Sequence, residues 1–336
     1  MDDQIFTDSS LRLLGDRKPW PKNVRGFPKQ LLVSGTFLAI SSKDKYGQSE
    51  RNLEFKANKA KGDKSPKVQY ELIKNSLSIR HFRVLLELID MSKGMNVGDS
   101  KSFAPGKLLE RLGLKRCGSS YKDLARMIHE IAELQFLREG DITGESEHTL
   151  FSEFITTNKT TLDGLTKDNE TTDPRIWNFK FSGFMCALLA NDDITTVHTS
   201  IMGECGRSPL LQWLYLFYST HGSNGKNTFD YKLKTLAQLS GLMQRLSLSK
   251  TKDLAMQAIK AANREIAHRV KQSLSKLHSM KVFKSINVVR AAVNPDTYAI
   301  EYKTEVQRFD YESETNLAET TLIDRPRLFE AYITAL

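Results

Sequence analysis

A chain of 336 residues with 40% hydrophobic and 26% charged residues has the length for two cored domains, and its composition excludes a wholly disordered or fibrous chain. A net charge of +9 and a pI near 9.3 point to a polyanionic partner. Cys117, Cys186 and Cys205 lie far apart with no Cys-x-x-Cys spacing, no apolar run approaches the ~18–20 residues of a membrane span, and Met1-Asp-Asp-Gln lacks the basic and apolar regions of a signal peptide, so the expectation is a cytoplasmic protein with no membrane contact, disulfide framework or zinc site.

Residues 1–26 are polar, with Pro19, Pro21 and scattered cations, and read as a loose arm. The apolar segment Leu31-Leu-Val-Ser-Gly-Thr-Phe-Leu-Ala-Ile40 must pack on something, but its pattern fits helix and strand equally. Possible strands at Asn52–Ala57 and Lys67–Leu72 flank a basic turn, Lys59-Ala-Lys-Gly-Asp-Lys64, which suits either a DNA-touching loop or a solvated hairpin. Ser78 is placed to cap a helix with Phe82, Leu85, Leu86 and Ile89 on one side, ending before Gly94. Lys107-Leu-Leu-Glu-Arg-Leu-Gly-Leu114 reads as a short helix closed by Gly113. The next helix is capped by Ser119 or Ser120 and has Leu124, Ile128, Ile131 and Leu134 as its core positions. Its N-terminal turns carry Ser119, Lys122 and Arg126, with Lys115 and Arg116 just ahead, whereas Glu130 and Glu133 make the far end negative. DNA contact is therefore expected from the N-terminal turns, the usual entry of a recognition helix.

Phe136-Leu-Arg138 and Leu150–Ile155 are expected to form a first wing around Gly140–His148, and Ile176-Trp-Asn-Phe-Lys-Phe181 alternates like a strand buried on one side. The polar tract 156–173 reads as an insertion on that wing. A short helix to Asn191 and an extended stretch, Ile194–Ile201, lead to Pro209-Leu-Leu-Gln-Trp-Leu-Tyr-Leu-Phe-Tyr-Ser-Thr-His221, a helix apolar on most sides and hence a buried spine. Trp213 and Tyr218 fit a core role better than base stacking.

Ser249 to Met280 reads as one long helix. Ile259, Ala262, Ile266, Val270, Leu274 and Leu277 recur at three- and four-residue steps, and the opposite face shows Gln257, Lys260, Arg264, His268 and Lys271, with Lys250 and Lys252 at the start. In isolation a solvated basic face would look the same. Its neighbours favour a DNA reader: a short helix ending at Gly241 precedes it, and Val282–Val289 and Tyr298–Tyr302 follow around an Asn294-Pro-Asp turn, placing Lys284 and Arg290 on a hairpin near the DNA backbone.

The pattern also repeats. Leu108-Leu-Glu-Arg-Leu-Gly-Leu114 aligns with Leu236-Ala-Gln-Leu-Ser-Gly-Leu242 at an offset of 128 (236 − 108), and Lys122-Asp-Leu-Ala125 with Lys252-Asp-Leu-Ala255 at 130 (252 − 122). The expected fold is α+β and mostly helical, with two tandem winged-helix domains. The expected boundaries are an arm at 1–26, a first domain at 27–201, a second at 202–304 and an acidic segment at 305–336.

Pro209–His221 followed by Tyr231-Lys-Leu-Lys-Thr-Leu-Ala-Gln-Leu-Ser-Gly241 resembles the corresponding segment of plasmid replication initiators of the TrfA type. Weaker similarity extends over about residues 27–290. The resemblance implies binding to direct repeats (iterons) of double-stranded origin DNA, local opening of the origin, and recruitment of host initiator, replicative helicase and sliding clamp. It also implies exchange between an inactive homodimer and a DNA-binding monomer.

Catalysis has no support in the sequence. The seven histidines never stand two apart, against a metal-dependent nickase, and no Gly-x-x-x-x-Gly-Lys-Ser/Thr loop is present, against an ATPase. Asp192-Asp193 reads as a helix-end turn rather than a metal site. The expectation is a non-enzymatic protein with no cofactor and no metal. The alternative to an initiator is a winged-helix transcriptional regulator, with a partition protein that depends on a partner ATPase as a third class.

Overall fold

The computed structural model describes residues 23–33, 36–39, 51–54, 69–72, 77–138, 147–156, 176–190, 194–220, 228–242, 252–293 and 300–307. The elements in chain order are β1 (Val24–Pro28), α1 (Lys29–Val33), β2 (Phe37–Leu38), β3 (Arg51–Glu54), β4 (Gln69–Leu72), β5 (Leu77–Ser78), α2 (Ile79–Met91), β6 (Ser100–Phe103), α3 (Pro105–Arg111), α4 (Gly118–Ala132), β7 (Gln135–Arg138), β8 (Glu147–Thr149), β9 (Phe151–Thr156), β10 (Trp177–Phe181) and α5 (Gly183–Ala190). They continue with β11 (Ile194–His198), α6 (Thr199–Glu204), α7 (Pro209–Thr220), β12 (Thr228–Lys232), α8 (Leu233–Leu239), α9 (Lys252–Ser279), β13 (Ser285–Val293) and β14 (Ile300–Gln307). Helices thus mix with small antiparallel sheets in an α+β arrangement. The described residues divide into two compact units, one holding 25–36 and 51–196, the other 23–24, 37–39 and 197–307.

In the first unit α2 is the hub. Phe82, Leu85, Leu86, Leu88 and Ile89 are buried, as a 3.6-residue period requires for a helix covered on more than one side. Ser78 caps it as expected, and His81 at the third helical position completes a capping box by accepting the Ser78 backbone N–H at Nδ1 (3.0 Å). Helices α3 and α4 pack on α2, and a three-stranded sheet in the order β6-β10-β9 lies against α4. Strand β10 alternates as anticipated: Trp177, Phe179 and Phe181 turn inward. Phe151 stacks on Phe181 (5.3 Å between centroids), Phe103 meets Phe179 edge-on (5.7 Å) and Phe154 meets the His129 ring of α4 (5.1 Å).

A second sheet, in the order β3-β4-β7-β8, shows that residues 51–54 and 69–72 do form an antiparallel pair. It also corrects the expected wing. Strand β7 pairs with β4 and β8, whereas β9 pairs with β10 across the tract 157–175, which lies outside the described residues. The reason is side-chain matching: the inward Phe151 and Phe154 of β9 complete the aromatic layer of β10, which the short β7 does not supply.

A charge cluster in this unit centres on one buried carboxylate. Glu87, 5% exposed, accepts from Arg111 Nε (2.6 Å) and lies 3.4 Å from Arg25 Nε, while Asp90 accepts from Arg111 and lies 3.2 Å from Arg25 Nε. Two carboxylates between two guanidiniums leave no net charge to desolvate, which is how such a cluster is tolerated. Arg83 donates to the Leu112 carbonyl at 3.0 Å, and burial pushes its pKa below the ordinary arginine value.

The second unit repeats the order: helix α7, strand β12, short helix α8, long helix α9, and the hairpin strands β13 and β14, with sheet order β12-β14-β13. The first unit runs α2, β6, α3, α4, β7, β8, β9, β10. Strands β7 and β8, which have no counterpart among the described residues of the second unit, belong to the other sheet, and β6 again lies beside the last strand. Helix α7 is the buried spine that its sequence implies: Leu210 to Tyr218 are all buried. Trp213 Nε1 donates to the Phe37 carbonyl (2.9 Å), and the Tyr218 hydroxyl hydrogen-bonds Thr304 Oγ1, which donates to the Tyr231 carbonyl (3.2 Å). Those bonds satisfy the polar tips of aromatic side chains that the core has taken out of water.

Three further expectations change. The undecided segment after Phe27 is neither one helix nor one strand, but α1 and β2 separated by residues 34–36. The extended stretch expected to reach Ile201 stops at His198, and α6 begins at Thr199. The cap of α4 is Cys117 rather than Ser119 or Ser120, so both serines lie inside the first turn. The Lys59–Lys64 turn, Asp192-Asp193 and the Asn294-Pro-Asp turn lie outside the described residues.

Candidate nucleic-acid interface

Both short helices, α3 and α8, end in a glycine with positive φ: +69° at Gly113 and +78° at Gly241. In this left-handed region a side chain is disfavoured, and the chain leaves the short helix there. Each unit thereby presents a second helix, α4 or α9, whose inner face is fixed by packing.

On α4 the inner face is Leu124, Met127, Ile128 and Ile131, with Leu134 buried just beyond. Lys115, Arg116, Ser119, Lys122 and Arg126 are all exposed, as the sequence implies, and form a run from the α3–α4 turn along the outer side of the helix. The expected positive stripe is partly neutralised from within. Arg116 is ion-paired with Glu110, and Arg126 with Asp123 (2.9 Å) and more distantly Glu130 (3.9 Å). Lys115 and Lys122 carry no ion pair among the described residues. Glu130 does not simply face solvent: its Oε2 lies 2.5 Å from Nε2 of the buried His81, and this hydrogen bond, opposed by partial burial and helped by Arg126, holds its carboxyl below the usual range. The exposed Cys117 thiol at the start of α4 is brought down to about 7, chiefly by the hydroxyls of Ser119 (3.3 Å) and Ser120 (3.1 Å).

On α9 the inner face is Ile266, Val270, Leu274 and Leu277, all buried at the expected steps. Burial on this scale is worth about 1.5–3 kcal/mol per side chain, which fixes the rotation of the helix. His268 and Lys271 are exposed on the other side, and His268 Nε2 lies 2.8 Å from Gln272 Nε2. Lys252, Gln257, Lys260 and Arg264 lie within α9 on the turns before it, and Arg290 lies within β13 opposite Tyr302. Lys284 is exposed, its backbone N–H bonded to the Gln307 carbonyl (2.9 Å) at the base of the hairpin. Lys250 is outside the described residues. Lys276 and His278 are further exposed basic groups in the last turns of α9, and Lys281 follows where the chain turns with φ +55° just past the helix.

The internal pairing of Arg116 and Arg126 is the feature sequence reasoning missed. Asp123 three residues before Arg126 was a readable signal, since residues at that spacing are neighbours on a helix. Glu110 and Arg116 meet only because the α3–α4 turn folds back.

Among the described residues no group of three or more His, Cys, Asp or Glu is placed to hold a metal ion, and no helix is long and apolar enough to cross a membrane. No protein-family model matches the chain, and no curated protein matches its sequence. Among solved structures, a crystal structure of a selenomethionine derivative of domains 2 and 3 of RctB is similar at a TM-score of 0.44 and 14% identity, covering 84% of this chain and 98% of that one. A second crystal structure of RctB domains 2–3 is similar at a TM-score of 0.46 and 11% identity, covering 84% and 99%.

Proposed function

We propose that this chain is a non-enzymatic, sequence-specific double-stranded DNA-binding protein that initiates replication at an origin carrying direct repeats. The carrying observation is the twofold occurrence of one arrangement: a hub helix, a strand, a short helix closed by a positive-φ glycine, a longer helix with an exposed basic side, and a hairpin whose second strand pairs back to the first strand. That is the order of a winged helix, in which the longer helix enters the major groove and the hairpin lies along the backbone. Two such modules on one chain suit successive major grooves about 34 Å apart. Once one is bound, tethering raises the effective concentration of the other.

The residues assigned to the first reader are Lys115, Arg116, Ser119, Lys122 and Arg126. Those assigned to the second are Lys250, Lys252, Gln257, Lys260, Arg264, His268 and Lys271, with Lys284 and Arg290 on its wing. The replication role, and the host initiator, helicase and clamp as partners, rest on the resemblance of Pro209–Gly241 to TrfA-type initiators. A plasmid carrying only this gene and its neighbouring non-coding DNA tests the role: autonomous replication is expected, and failure to replicate despite a specific protein–DNA complex would leave a transcriptional regulator.

A further inference from the structure

Resting on the DNA-binding reading of α4, we propose that His81, a buried residue with no place on the DNA-facing stripe, is a positioning residue that detains the Glu130 carboxylate and keeps Arg126 available to phosphate. Ser119, Lys122, Arg126, Glu130 and Glu133 follow one another at three- and four-residue steps, so Glu130 shares a side of the helix with the cations. A glutamate four residues after an arginine is its neighbour on the helix surface and is within reach to pair with it. Here it does so only loosely, with 3.9 Å between Glu130 Oε1 and Arg126 Nε, because the other oxygen is taken.

The geometry of His81 fixes what takes it. Its Nδ1 accepts the Ser78 backbone N–H at 3.0 Å, which requires a lone pair there and places the ring proton on Nε2. That N–H donates to Glu130 Oε2 at 2.5 Å. With the ring 6% exposed and locked into the capping box of α2, the donor cannot swing away, so the carboxylate is held toward α2 rather than outward. The lowered pKa of Glu130 agrees with a carboxylate engaged in this way. The charge count makes the detention matter. Arg126 with Asp123 is a neutral pair that still has guanidinium N–H groups to offer a phosphate, whereas a second carboxylate closing on Arg126 would make the cluster net negative on the face that meets DNA.

Binding of the full chain to a fluorescent duplex of mixed sequence about three helical turns long, at one fixed salt concentration, tests this. His81→Ala should weaken binding roughly threefold, the scale of an exposed ion pair. His81→Ala with Glu130→Gln should return to the wild-type value, and His81→Gln, whose amide N–H can replace the Nε2 donor to Glu130, should bind as wild type does. In an Arg126→Ala background, His81→Ala should add nothing. A double variant as weak as His81→Ala alone, or an undiminished effect of His81→Ala without Arg126, would reduce His81 to a packing residue and overturn the proposal. Should His81→Ala fail to fold, Asp123→Asn and Glu130→Gln decide: Asp123→Asn should tighten binding more, and an equal or larger gain from Glu130→Gln would overturn the proposal. Wild-type protein that binds no duplex at all would instead remove the DNA-binding reading, and this inference with it.

Discussion

The two units share an order of elements and differ in how they hold their charge. In the first, the longer helix spans 15 residues, and its Arg126 and the preceding Arg116 are engaged by carboxylates of their own unit: Arg116 by Glu110, Arg126 by Asp123. In the second, the helix spans 28 residues, and Lys271, Lys276 and Lys284 are exposed with no ion pair among the described residues. A paired guanidinium is pre-oriented but must share or lose its partner to meet a phosphate, whereas a solvated lysine gives up only counterions and water. The readers thus differ in degree. The first has Arg116 and Arg126 restrained beside Lys115 and Lys122, which carry no ion pair among the described residues. The second pairs Arg269 with Glu265 (4.0 Å) but adds the exposed Lys271, Lys276 and Lys284, and the second should dominate affinity.

The largest test of that contrast is Lys260→Ala with Arg264→Ala on α9. Removing each base-reading side chain should cost ~1–3 kcal/mol of discrimination against an altered site, read by competition between the native and mutated duplexes. Replacing Lys59 and Lys61 instead should do far less, and equal losses at fixed salt would make the α9 stripe generic charge. Next in size, Lys271→Ala, Lys276→Ala and Lys284→Ala together should weaken all sequences alike and flatten the dependence of affinity on salt by roughly 0.9 for every phosphate that is no longer neutralised. The matching change in the first unit, Arg116→Ala with Arg126→Ala, should flatten it less, because both groups are already partly neutralised. A salt titration of the two variants side by side would show the order directly.

The paired glycines sharpen the comparison at the level of stability. Gly113→Ala should cost about 1–2 kcal/mol for the left-handed backbone alone, since a Cβ there meets nothing within 4 Å. Gly241→Ala should cost more, because its Cβ would also lie 3.1 Å from Leu38 Cδ1. Thermal unfolding of the two variants gives the ranking.

Much of the second unit was legible in the sequence, because its decisive signals are local. The steps from Ile266 to Leu277, the all-round apolar character of Leu210–Tyr218 and the glycine after each short helix are read within a turn or two of chain. The first unit was harder where pairing is non-local. Strand β9 had two apolar candidates to choose from, and only the aromatic layer formed with β10 decides. The cluster of Arg25, Glu87, Asp90 and Arg111 joins residues remote in sequence, and no pattern of single residues announces it. The same holds for His81 with Glu130.

The smallest expected effect is on acid stability. Glu130 has a carboxyl lowered from its ordinary value of 4.5, first by the His81 hydrogen bond. A depressed folded-state pKa contributes stability that is present above the unfolded value and disappears as pH falls through the folded one. Glu130→Gln should therefore lower the melting temperature slightly at neutral pH and converge on wild type in acid, so that its acid limb is flatter, and an unchanged acid limb would show that the carboxylate is not held.

Hydroxyl-radical footprinting of the purified protein on the non-coding DNA beside its gene tests the central claim most directly. Two protected stretches one helical turn apart on the same face, about 10 bp centre to centre, with one chain per duplex, are the predicted result. A single protected stretch per chain would contradict an account built on two readers.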